Sequence, residues 1–507
     1  MFRAFSAAGA ILAALLSLSW GAPARAQDVT LTSHDGGVEL SGTLRSYDGE
    51  FYQIETDYGL LTLAAEGVAC AGPGCPDLTA HVAALVISGS ATAGRRLLPA
   101  LIADFAGARG LVLHVADDTR AMRHFTLADA ETHQPVMRIG LRLSTSDAGL
   151  IELLDGSADL ALSLNELRDP AVHGRVVALD AFLPIVGRGN PLERITTTDL
   201  AAIYAGEIDN WSALGWMEAP ITLHVRDAGS GVQQALETQL LASRELPLAS
   251  GVVRHDDDAG LLRALRRDPF ALGVMLWSRG LAEEALTLTG RCGLELPASP
   301  LAIKTEDYPL TLPVLLYART GRQPLQVRRF LAHVAGPSGQ MAARSIGFVD
   351  QLPQRQGLDA QGRRLANAVL AAEGSEGLAE LQRLLRVMEK AERLSLSFRF
   401  ESGTSTPDVQ SRAYIETLAR DIEAGLYDGR ELVFAGFTDG EGPLDVNLRL
   451  SRARAEAIRD AVSRAAPLRA ENAVTLTAEG FGPALPLACD DNEWGSRVNR
   501  RVEVWLR

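Results

Sequence analysis

Long apolar runs are almost missing from this chain of 507 residues. Past its first residues no stretch stays apolar for 18 positions, which leaves no segment able to cross a membrane as a helix. Positive charge is also in deficit. Lys and Arg number 49 against 63 Asp and Glu, a formal net charge of −14, so charge alone holds the chain to neither nucleic acid nor anionic lipid. Cysteine is sparse, at four residues, and no histidine stands nearby at ligand spacing; no metal site and no cofactor are implied. The Gly-Lys-Ser/Thr of a Walker-type phosphate loop is absent, as are internal repeats and low-complexity tracts.

What is present at the start is a compartment signal. "MFRAFSAAGAILAALLSLSWGAPARAQ" carries an early Arg3, an apolar run through Leu18, and Ala24-Arg25-Ala26 before Gln27. It reads as a secretory signal peptide over residues 1–26, so the mature chain is expected to be exported. No cysteine follows the small residues, which argues against a lipid anchor. Removal takes Arg3 and Arg25 and no acid, leaving 47 basic against 63 acidic residues and a net charge of −16. Any anion site must therefore act locally, against the field of the whole molecule. Four cysteines in an exported chain permit three pairings. Cys70 and Cys75 enclose a Gly-Pro-Gly turn in "CAGPGC", so a local disulfide is expected there; Cys292 and Cys489 are left as a long-range pair or two free thiols.

The length and a hydrophobic content of 47% fit several domains rather than one core. Residues 27–78 read as short strands separated by Asp-Gly, Gly-Gly and Tyr-Gly turns, a small β-barrel-like module of no evident function. From 79 to 350 strands such as "AALVISGS" and "ITLHVR" alternate with amphipathic helices, which predicts an α/β domain with mostly parallel sheets and, at that size, two lobes. Residues 351–395 are polar and helix-prone, as a connecting helix would be. Residues 396–507 follow a βαβαββ-like order, a compact α+β domain. The expected fold is thus multi-domain α/β.

Within the last domain one arginine stands out. Arg454 lies four residues after Leu450 and four before Ile458, on or beside the apolar stripe of its helix and fifteen residues after Asp439. A cation there is costly unless an anion meets it. Either Asp439 is that anion, or the two line one pocket for a zwitterion, Arg454 taking a carboxylate and Asp439 an ammonium. The segment "GFTDGEGPLDVNLRLSRARAEAI", then "AEGFGP" and "NRRVEVWL", resembles the OmpA-like peptidoglycan-binding domain over roughly residues 396–507. That resemblance implies that Asp439 and Arg454 bind the diaminopimelate side chain of the stem peptide. It also puts Asn447, Asn499 and Arg501 around the pocket, as ligand contacts or as its frame.

"HVRDAGSGVQQAL" sets a strand, Arg226, then Gly229-Ser230-Gly231 ahead of a helix. Backbone N–H groups at such a helix start, the Ser230 hydroxyl and the Arg226 fork make an oxyanion site, or Ser230 simply caps the helix. A hydrolase nucleophile at Ser230 is disfavoured, because Ala228 stands where glycine belongs and no histidine sits in a partner motif. No enzyme activity is expected. Residues 80–350, above all "VVALDAFLPIVGRGNPLERITTTDLAAIYAGEIDNWSALG", resemble phosphate-type (type II) periplasmic solute-binding proteins of ABC importers. The resemblance implies an anion between the lobes, held by Thr92, by Ser144, Thr145 or Ser146, and by Arg226, Ser230 and Gly231. It implies an inner-membrane ABC permease as a partner class. Ala228, Val232 and Leu164 depart from the family's pattern, where an acid, a threonine and an aspartate are usual. Phosphate is the leading ligand, with another oxyanion or an empty cleft as alternatives. The function expected is a wall-tethered oxyanion-binding protein for uptake or sensing; the alternative is a structural envelope protein whose middle domain binds another protein or nothing.

Overall fold

The computed structural model describes residues 28–78, 81–117, 122–242, 245–372, 374–400, 406–466 and 474–507; the expected signal peptide lies outside them. The chain divides into two compact units, residues 1–81 and 82–507. In the first, β1 (Val29–Ser33), β2 (Glu39–Tyr47), β3 (Phe51–Thr56), β4 (Gly59–Ala64) and β5 (Val68–Ala71) form one antiparallel sheet in the order β4-β3-β2-β1-β5. Alternation buries Val29, Leu31, Tyr52 and Ile54 on one face. A tight turn at Ala65–Gly67 separates β4 from β5. Cys70 and Cys75 are disulfide-bonded.

The second unit opens with β6 (Ala83–Ser90), α1 (Ala91–Gly107), β7 (Leu111–Asp117), β8 (Arg123–Asp129), β9 (Pro135–Ser144), α2 (Ser146–Asp155) and β10 (Leu160–Ser163), a first lobe. The long β11 (Val172–Val186) crosses to a second lobe. There follow β12 (Arg194–Thr196), α3 (Thr197–Ala205), β13 (Thr222–Arg226), α4 (Gly231–Leu240), β14 (Val253–His255), α5 (Asp258–Arg267) and β15 (Ala271–Leu276). β16 (Thr287–Thr289), β17 (Glu295–Leu296) and α6 (Pro300–Lys304) complete it, and β18 (Thr311–Arg319) returns to the first lobe, where α7 (Leu325–Ala335) and α8 (Pro337–Ser345) pack on α1. One ten-stranded sheet runs through both lobes in the order β14-β13-β15-β11-β18-β10-β6-β9-β8-β7. It is mixed, not mostly parallel as expected. β11 and β18 cross the lobes antiparallel to each other, and β7-β8-β9 is a meander. Side-chain periodicity reports a strand's faces and is silent on its direction.

The C-terminal part comprises β19 (Arg355–Gln356), α9 (Gly362–Ala371), α10 (Gly374–Met388), β20 (Glu392–Phe398), α11 (Val409–Glu423), β21 (Glu431–Gly436), α12 (Leu444–Ala465), β22 (Thr475–Gly480), α13 (Glu493–Asn499) and β23 (Val502–Leu506). Its sheet runs β19-β20-β23-β21-β22, with α11 and α12 on one face. Residues 351–395, expected as a connector, form part of this body. β19 joins the sheet, and Ala368, Leu381, Leu384 and Met388 pack on the other face against Val433, Phe437 and Trp505. The apolar stripes of α9 and α10 need a partner, and the back of the sheet supplies it.

Middle and C-terminal parts are also joined by buried polar contacts. Arg399 donates to the Thr305 carbonyl at 2.8 Å and pairs with Glu306 at 3.1 Å. Tyr414 donates to the Lys304 carbonyl, and Gln410 to Gln351 at 3.1 Å. A Cys292–Cys489 disulfide links the second lobe to the loop before α13, which resolves the alternative left open above.

Candidate functional site

Three helix starts meet where the two lobes face each other. α1 begins after Ser90, α2 after Thr145 and α4 after Ser230. First-turn N–H groups have no partner inside a helix and carry the positive end of its dipole. The approach of α2 to β6 depends on two glycines. Gly89 has φ +121°, and a Cβ on it would strike the Leu162 carbonyl; a Cβ on Gly149 would strike Gly89 itself. With both absent, the Oγ atoms of Ser146 and Ser90 lie 3.6 and 3.8 Å from the point where a Cβ on Gly231 would stand. The missing side chain of Gly231 therefore opens a gap walled by two serine hydroxyls, one from each of two helix starts of the first lobe.

Those hydroxyls are short of partners. Ser90 and Ser230 occupy helix-cap positions, yet neither side chain caps its helix, and both Oγ atoms are buried without a hydrogen bond among the described residues. Ser88 is in the same condition. Ser146 Oγ accepts from the Leu164 N–H at 3.1 Å, so its own proton remains to be donated. Buried polar atoms are rarely left unpaired, so these hydroxyls are free to bond a water or a bound anion. The remaining sequence candidates differ. Thr145 caps α2, accepting from the Ala148 N–H at 3.1 Å, while Ser144 donates to the Thr145 carbonyl at 3.3 Å. Thr92 is half-buried in the first turn of α1. Sequence reasoning missed Ser90, which sits two residues before Thr92; its only signal was a Gly-Ser pair closing a strand.

Arg226 is at the end of β13, but its fork is engaged inside the second lobe. It pairs with Asp258 and donates to the carbonyls of His255 at 3.2 Å and Asp256 at 2.7 Å. Asp258 also pairs with Arg279, so two cations share one carboxylate there. Leu164 is buried in the core, where an acid would be costly.

A second site lies in the C-terminal part. Asp439, past the end of β21, accepts from Arg500 at 2.7 Å and not from Arg454. Arg454 lies at the edge of the buried stripe Asn447, Ser451, Ala455, Ile458 and Val462; Leu450, which the sequence aligned with it, is exposed. Its guanidinium stands 5.6 Å from the Phe400 ring, and its Nη1 is buried without a partner among the described residues. Burial and the neighbouring Arg500 lower the Arg454 pKa, and Asp439 opposes them. Two cations, the Asp439 carboxylate and a donor without a partner among the described residues thus stand together here. Arg500 was missed because nothing in the sequence ties it to a residue 61 positions earlier.

The other three residues expected here build the frame. Asn447 donates to the Glu441 carbonyl at 2.9 Å, which shapes the loop carrying Asp439. Asn499 is fully buried, accepting from the N–H groups of Leu487 and Ala488 and donating to Asp490, which in turn accepts from the Gly440 N–H. Arg501 is fully buried under Phe437 and bonded to Glu503 at 2.7 Å. Burial works against the charge of Glu503, but Arg364, Arg393 and Arg501 overcome it and hold its pKa far below the usual carboxylate range.

Residues 119–337 match a family described as a PBP superfamily domain. Among curated proteins the chain is similar to Probable lipoprotein YiaD of Escherichia coli (strain K12), 39% identical over 71 residues, 14% of this chain and 31% of that protein. It is also similar to Outer membrane porin F of Pseudomonas fluorescens, 34% identical over 114 residues, 22% of this chain and 32% of that protein. It therefore spans about a third of the length of these relatives. An ABC-type phosphate transport receptor from Vibrio cholerae aligns at 20% identity and a TM-score of 0.42, covering 52% of this chain and 99% of that one.

Proposed function

We propose that the protein binds a small oxyanion, with phosphate the leading ligand, in the cleft between the lobes of its middle domain, and is held in the cell envelope by binding peptidoglycan through its C-terminal domain. The observation that carries the first half is the gap at Gly231, faced by the Ser90 and Ser146 hydroxyls, with Ser90 and Ser230 unpaired. Hydroxyls and helix N-termini suit an anion of any protonation state, because they donate to it without adding a carboxylate that repels it. The family match over residues 119–337 supports a binding role for this domain. Support for the second half comes from the resemblance of residues 396–507 and from the open donor of Arg454 beside Asp439. Arg454 would take the carboxylate and Asp439 the ammonium end of diaminopimelate.

The binding half is tested by calorimetric titration of the full chain with phosphate and with sulfate. Binding of phosphate is expected, and heat from neither anion would refute it. The alternative of a structural protein with an empty cleft draws on the engagement of Arg226 by Asp258. The same titration decides between the two. Co-sedimentation with purified sacculi tests the anchor.

A further inference from the structure

The N-terminal sheet ends in two edge strands, β4 and β5, of which β4 is the longer. β4 pairs with β3 and, among the described residues, with nothing else. Its sequence, Gly-Leu-Leu-Thr-Leu-Ala, has no charge and no proline, and its pairing with β3 runs without a bulge. These are the usual protections of a sheet edge, and all are missing. The two strands meet through Asp57 and Tyr58, with Thr56 opposite Gly59. In a two-residue hairpin that flanking pair is the hydrogen-bonded one, so the alternation turns the N–H and C=O of Leu60 and Thr62 away from β3. Leu61 and Leu63 pack on the core, while Tyr58 is 87% and Leu60 60% exposed.

Charge says what fits this edge. Residues 28–78 carry nine carboxylates against the single Arg45, a net charge of −8, and Arg45 is itself paired with Glu55. Exposed Asp57 stands just before β4 and exposed Glu66 just after it, at the two ends of a strand about 20 Å long. A second copy of the chain would bring the same negative field to the contact. A strand with basic ends would be drawn to it.

We propose that β4 is a docking edge for an extended, basic segment of another protein, which adds to the sheet as a sixth strand with its cations over Asp57 and Glu66. The backbone of Leu60 and Thr62 supplies the hydrogen bonds, and the acids at either end select the charge. The test uses the full chain and a synthetic peptide of about eight residues, alternating valine and threonine with lysine at both ends. Anisotropy of the labelled peptide should show saturable binding that weakens as salt is raised. Hydrogen exchange at the Leu60 and Thr62 amides should slow about tenfold or more. The same peptide ended by glutamates should not bind. Thr62→Pro should abolish binding, and the double variant Asp57→Lys, Glu66→Lys should reverse the preference toward the glutamate peptide even if the proline variant unfolds. No protection of Leu60 and Thr62 by the lysine peptide would overturn the proposal, as would equal binding of both peptides. Protection that grows with protein concentration alone would overturn it too, by identifying a second copy as the occupant.

Discussion

In the proposed anion cleft the groups around Gly231 are hydroxyls and helix starts, and the guanidinium of Arg226 is engaged by Asp258. In the proposed peptidoglycan site the groups are charged side chains: Arg454, with an unpaired nitrogen, and Arg500 bound to Asp439. The contrast fits what each site is proposed to do. A small anion engulfed between lobes can be surrounded by oriented neutral donors, each of them stronger in a dry site. A zwitterionic side chain approaching an open pocket has both signs of charge at fixed separation, and separate charged partners match it. The molecule as a whole is acidic, so both solutions are local.

The sharpest way to break the comparison is to fill the gap. Gly231→Val places carbon where the serine hydroxyls face, and phosphate binding in a calorimeter should vanish while peptidoglycan sedimentation is unchanged. If affinity survives, the gap is not the site. Next in size, Arg454→Ala should weaken binding to sacculi by about tenfold or more, the scale of losing a charge-assisted hydrogen bond, and leave the cleft untouched. An intermediate effect is expected from salt. Going from about 0.05 M to about 0.5 M NaCl should weaken sacculus binding more steeply than phosphate binding, since salt screens attraction between charged side chains and neutral donors carry no net charge to screen. Equal slopes would erase the distinction.

The smallest effect concerns the joint between the two parts. Burial, reinforced by Asp408, pushes the Glu306 carboxyl up to about 7. An acid with a raised folded-state pKa contributes fully below its unfolded value of 4.5 and loses that contribution as pH rises through about 7. Glu306→Gln should therefore leave the melting temperature unchanged near about pH 5 and raise it by a few degrees near about pH 8. Arg399 keeps the Thr305 carbonyl and Asp307 in either case. A lower melting temperature at the higher pH would mean that the Glu306–Arg399 pair outweighs the cost of burying it.

How much of this was legible in the sequence varied with the kind of signal. Arg454 stood out because a charge beside an apolar stripe is anomalous, Asp439 was singled out by the family resemblance, and Cys70–Cys75 by the tight turn between them. The partner of Asp439 could not be read, since Arg500 lies 61 residues later in the chain and is brought alongside by the pairing of β21 with β23. Arg226 was placed correctly at a strand end, but its engagement depends on Asp258, brought alongside by the parallel pairing of β13 and β14. Ser90 was invisible for another reason. A serine ahead of a helix is ordinarily its cap, and only coordinates reveal that this one caps nothing. The same limit hid the packing of α9 and α10, whose polar composition reads as a connector although each carries one apolar face.

One measurement bears most directly on the claim that the cleft works by neutral donors: phosphate calorimetry of the double variant Ser90→Ala, Ser230→Ala beside Arg226→Ala. The account predicts that the serine variant loses affinity by about a hundredfold or more, two hydrogen bonds to a charged ligand, while the arginine variant binds within a few-fold of the parent. Loss of binding in Arg226→Ala with the serine variant unaffected would contradict it.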